Sequence, residues 1–126
     1  MTGLQFSINP LKFYIMRQIE KEMNRAFFNG RNFNKSNTKV ETNVTVWDYS
    51  TNSWKRFRVA AFLHGNLIAA KDDAGNIYYS CAGWHTSTTR SRLQALGAPC
   101  RIKDYRMIDT NTGAEFPSRL TKFYSN

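Results

Sequence analysis

Thr86, Ser87, Thr88 and Thr89 run directly into Arg90 and Arg92 within the stretch AGWHTSTTRSRLQALG, residues 82–97. Hydroxyl groups, the unpaired N–H groups of a helix start and guanidinium forks together form a receptor for phosphate or carboxylate. The stretch reads as a short helix: Thr86 or Ser87 caps it by accepting a backbone N–H, and Gly97 takes the left-handed conformation that ends it. Thr89, Leu93 and Leu96 stand at i, i+4 and i+7 and are expected to face the sheet. Arg90 and Arg92 then point away from that stripe, while Thr86 and Thr88 crowd the helix mouth. Acidic side chains are the ones that favour a helix start, because the backbone leaves partial positive charge there. Two arginines in the first turns therefore stand either in solvent or beside an anion from outside the chain. Trp84, just before the cap, either plugs the core, which its large area favours, or stacks on a base.

Charge extends this reading to the rest of the chain. Eighteen Lys and Arg against nine Asp and Glu leave a formal charge of +9 over 126 residues. Such an excess attracts polyanions, nucleic acid above all. It is also segregated. Met23 to Val40 holds Arg25, Arg31, Lys35 and Lys39 and no acid; Ala74 to Lys103 holds Arg90, Arg92, Arg101 and Lys103 and no acid. If the two stretches meet in space, they form a one-sided basic surface. Phe33, set between Arg31 and Lys35 in NGRNFNKSNTK, reads either as part of a polar connector or as a ring that stacks on a base while its neighbours hold phosphates. The candidate anion-binding set is therefore Thr86, Thr88, Thr89, Arg90, Arg92, Arg101, Lys103, Arg31, Lys35, Phe33 and Trp84.

The elements that must position these residues are legible in outline. Asn9 as cap, Pro10 at the first position and Gly30 as stop predict an opening helix, with Leu11, Ile15, Ile19, Met23 and Phe27 as its apolar stripe. Residues 40–81 alternate as an antiparallel four-stranded meander, with turns at STNS, HGN and DDAGN. Beyond Gly97, PCRIKDYRMI predicts a strand, DTNTG a turn and AEFPSRLTKFY a closing strand or short helix. The expected class is α+β, one domain over 1–126: helix and basic Asn-rich loop (1–39), meander with the motif helix packed on it (40–98), and a C-terminal hairpin (99–126).

Other chemistries find little support. Cys81 and Cys100 lie far apart in sequence, and His64 and His85 complete a count of four without zinc-site spacing, so two buried free thiols and no metal are expected. No phosphate-binding loop and no nucleophile elbow occurs, and Cys81 with His85 need not face each other, so neither an enzyme nor a cofactor is expected. The longest apolar run, Val59 to Leu63, is far short of a membrane span. The N-terminus lacks the pattern of a signal peptide.

The hairpin FLHGNLIAAKDDAGNIYYS followed by AGWHTSTTRSRLQALG resembles a family of small tailed-bacteriophage proteins. Their shared pattern is L-H-G-N-x-I-A, then G-W-x-T-x-T-T-x-x-R-L. The matching positions here are Leu63, His64, Gly65, Asn66, Ile68, Ala69, Gly83, Trp84, Thr86, Thr88, Thr89, Arg92 and Leu93. The resemblance implies phage origin and expression in the host bacterial cytoplasm; it brings no activity with it. The expected function is binding of nucleic acid, DNA or RNA, mainly through phosphates. The alternatives are an anti-defence or host-takeover accessory protein that inhibits a host nucleic-acid-processing protein, and a sponge for a small anionic nucleotide.

Overall fold

The computed structural model describes residues 16–124. The Asn9 cap and Pro10 first turn lie outside them. Helix α1 spans Gln18–Asn29, and Arg17 before it is extended, at φ −67° and ψ 157°. This corrects the expectation of one helix running from Pro10: α1 starts where Glu20, its third residue, accepts the Arg17 N–H at 3.2 Å. Its end is as expected. Gly30 takes φ +64°, and the Gly30 and Arg31 N–H groups close on Phe27 and Ala26 carbonyls.

Six strands follow one another into an antiparallel sheet: β1 Phe33–Lys35, β2 Thr38–Asp48, β3 Ser53–Leu63, β4 Asn66–Lys71, β5 Ile77–Tyr79 and, from the far end of the chain, β8 Thr121–Phe123, in the order β1-β2-β3-β4-β5-β8. Helix α2, Ser87–Ala95, leaves β5, and a separate hairpin pairs β6 Cys100–Lys103 with β7 Arg106–Asp109. The α+β class and the meander β2–β5 agree with the sequence reading; three details differ. The Asn-rich stretch is a strand, because Ser36 at φ +55° lets the chain fold back and pair Phe33 with Val40. The strand expected from Pro99 folds into a hairpin by itself. Finally, the closing segment returns to pair with β5, Ile77 opposite Phe123.

Helix-facing residues of the sheet build the main core with α1 and α2. Met23, Phe27, Val40, Val59, Ile68, Leu93, Leu96, Met107 and Phe116 are at most 1% exposed. Ala61 and Ala69 at the sheet centre let the helices approach closely. Helix α2 is tied at both ends: Thr86 accepts the Thr89 N–H at 3.2 Å, and the Tyr79 hydroxyl donates to the Leu96 carbonyl at 2.6 Å.

The strongest tie is ionic. Glu20 is fully buried and Arg92 is 3% exposed. The Arg92 guanidinium meets Glu20 Oε2 at 2.7 Å, Thr38 Oγ1 at 3.1 Å and Asn37 Oδ1 at 3.4 Å, and the Ser91 hydroxyl also donates to Glu20. The expectation that Arg92 points outward, into solvent or to an external anion, is thereby overturned. Its anion is internal, and it clamps α2 to α1 and β2. Burial pushes the Glu20 carboxyl up, but the Ser91 hydroxyl, the Arg17 N–H and the Arg92 charge outweigh that and hold it below its ordinary 4.5. A depressed folded-state pKa gives stability that is present above the unfolded value and lost as pH falls through the folded one. Stability should therefore decline as pH drops below about 4.5, and Glu20→Gln should flatten that decline. Arg92→Ala, which strands a buried carboxylate, should cost about 3–5 kcal/mol in denaturant unfolding. A loss under 1 kcal/mol, roughly that of an exposed pair, would contradict the clamp.

Candidate functional site

The chain reaches the mouth of α2 through a sharp double bend. Ala82 and Gly83 both take left-handed conformations, φ +54° and +81°. The Ala82 N–H is held by the Ser80 hydroxyl at 2.9 Å and the Trp84 N–H by the Cys81 carbonyl at 2.9 Å. This bend swings Trp84 outward, 56% exposed, so the core-plug reading of that ring is corrected. His85 turns the other way and accepts the Met107 N–H at Nδ1, 2.8 Å. It is an acceptor that anchors β7.

Beside Trp84 opens a cavity of about 280 Å3. Leu63, Ile68 and Cys81 give it an apolar floor; His64, Asn66, Thr86, Thr88 and Thr89 supply polar groups at its walls. One wall is the β3–β4 turn, where His64 and Gly65 take φ +51° and +79° as the tight two-residue turn requires. The other is the start of α2. Thr86 Oγ1 takes the Thr89 N–H and the Thr86 carbonyl takes the Arg90 N–H. The Ser87 and Thr88 N–H groups, which no helix can satisfy internally, meet no acceptor among the described residues. No acid occupies the first turn, so the positive end of the helix is uncompensated within it.

The cations distribute unevenly. Lys35 pairs with Glu22 at 3.4 Å, Lys39 with Glu41 at 3.5 Å and Arg106 with Glu115 at 2.6 Å. Arg90, Arg101 and Lys103 meet no carboxylate among the described residues. Arg90 does not line the cavity; it turns toward β6, close enough to Cys100 for its charge to bear on that thiol. Its Nε is buried with no hydrogen-bond partner among the described residues, an arrangement that costs free energy. Arg101 and Lys103 are exposed on β6, which packs on α2.

The remaining expected residues go elsewhere. Arg31 and Phe33 line a separate shallow hollow with Glu22 and Arg25. Phe33 is half-buried against the main core and is no free stacking ring. The two acid-free stretches do meet, but at Arg92 inside the protein. What the sequence reading missed is the far wall of the cavity, His64 and Asn66. The signal was the pairing of the two halves of the phage pattern, each of which supplies one wall.

Cys81 and Cys100 are buried free thiols, as expected. Burial raises both, Cys100 to about 12. Neither should react with an aromatic disulfide reagent at pH 8 in the folded protein, and both should after unfolding in guanidinium. Rapid labelling of the folded chain would contradict this packing.

Fold and site together define a small α+β protein with a cavity at the mouth of its second helix. The model of the Kyanoviridae Gp96 protein family matches residues 16–116. The chain belongs to that family. The match takes in both helices, the cavity and the β6–β7 hairpin. No curated protein and no solved structure matches the chain. No helix among the described residues is long and apolar enough to cross a membrane.

Proposed function

We propose that this protein binds nucleic acid in the host bacterial cytoplasm through its α2 mouth and the adjoining α2–β6 flank. The observation that carries the reading is the cavity beside an exposed Trp84 at a helix start with open N–H groups and no acid. A base enters against the indole ring, over the apolar floor of Leu63 and Ile68. Its phosphate meets the Ser87 and Thr88 N–H groups and the threonine hydroxyls. Neighbouring phosphates follow Arg90, Arg101 and Lys103. The volume suits one base, so a free mononucleotide is the second reading, tested by thermal shift with a nucleotide panel. A host-protein partner would use a different feature, the β2–β3 ribbon, where Trp47 and Trp54 meet edge to face at 5.3 Å and Trp54 is 68% exposed.

Anisotropy with a labelled single strand separates these. Trp84→Ala should weaken binding about ten-fold, within the ~1–3 kcal/mol of one base–aromatic stack. Affinity should fall steeply with salt, and Arg101→Ala with Lys103→Ala should flatten the logarithmic slope by roughly 0.7 for each phosphate no longer neutralised. Parental affinity in Trp84→Ala, or binding indifferent to salt, would refute this site.

A further inference from the structure

The β6–β7 hairpin turns at Asp104 and Tyr105, with φ +50° and +65°. A two-residue turn of this type is filled at least cost by Asn-Gly or Asp-Gly, because glycine alone enters the left-handed region freely. Tyrosine at the second position is a steric outlier, and its ring is 91% exposed, so no packing offsets the cost. A second local cost lies one step down the ladder. Lys103 stands directly opposite Arg106, a like-charge pair that destabilises a hairpin. Glu115 relieves Arg106, but Lys103 and Arg101 meet no carboxylate among the described residues. Arg101 and Lys103 lie two apart on β6 and share its exposed side.

The hairpin is nevertheless firmly rooted. Met107 is fully buried, its N–H is held by His85, and its carbonyl takes the Phe116 N–H at 2.9 Å. The root therefore lies next to Trp84, one residue from His85. A finger anchored at its root presents an exposed aromatic ring at its tip and, along its side, two cations that meet no carboxylate among the described residues.

We propose that Tyr105 stacks on an unpaired base of a single-stranded nucleic acid whose phosphates run along Arg101 and Lys103. The proposal rests on the nucleic-acid reading above and adds a second stacking point to it. Duplex binding does not use the ring, because paired bases hide their faces.

The test compares the parent, Tyr105→Gly and Tyr105→Trp on labelled single-stranded DNA, single-stranded RNA and a duplex, with a melting curve for each protein. Tyr105→Gly should melt at the same or a higher temperature, since glycine suits the turn. It should bind at least one of the single strands about ten-fold more weakly, the scale of one base–aromatic stack, with little change on the duplex. Tyr105→Trp should retain parental affinity. If the parent binds single strands and Tyr105→Gly binds them equally, or weakens as much on the duplex, the stacking role is wrong. If the parent binds no single strand, the nucleic-acid reading falls and this role with it.

Discussion

The placement of helix α2 depends on one buried ion pair. Glu20 on α1 and Arg92 on α2 meet inside the molecule, with Thr38 and Asn37 completing the donors' partners from β2 and its preceding turn. Two charges out of water are expensive unless each is matched and hydrogen-bonded, and here the carboxylate accepts from Ser91, Arg17 and Arg92. The return is geometric. Helix α2 contributes a short apolar side to the core, chiefly Leu93 and Ala95 with Leu96 just beyond. The pair and the Tyr79–Leu96 hydrogen bond fix where that helix points. The position of its mouth against the β3–β4 turn follows from that, and the cavity with it.

The clamp also decides which cations face outward. With Arg92 consumed internally, the charge near α2 is that of Arg90, Arg101 and Lys103. His85 sits between the two features proposed to bind. It follows Trp84 in the chain and holds the backbone of Met107 at the root of the hairpin. The proposed stacking rings are thus Trp84 at the α2 mouth and Tyr105 at the hairpin tip, with Arg101 and Lys103 on β6. That division of labour, phosphates for affinity and rings for single-strand preference, is how sequence-tolerant binding is generally built.

Much of the local structure was legible in the chain, and the reason is that it is local. Thr86 as cap, Gly97 as stop, the His-Gly turn and the four meander strands each follow from residues within a few positions of one another. So does the burial of Cys81 and Cys100. The errors share an opposite cause. Arg92 reads as exposed because arginine usually is, and its partner lies 72 residues away. Trp84 reads as core because of its area, yet two consecutive left-handed residues turn it out. Phe33 reads as part of a loop because Asn and Ser surround it, while pairing with Val40 makes it a strand. The cavity was visible only as two halves of one pattern, and Tyr105 was not visible as a turn residue at all, because PCRIKDYRMI reads as one strand and the turn shows only in the left-handed Asp104 and Tyr105.

Amide chemical-shift mapping with a short single strand locates the contact surface residue by residue. The largest perturbations should fall on Ser87 and Thr88, the Trp84 indole N–H and the Tyr105 turn, while Thr38 and its neighbours around the buried pair stay still. Perturbations centred on the Trp47–Trp54 ribbon, or none at saturating oligonucleotide, would contradict the proposed site.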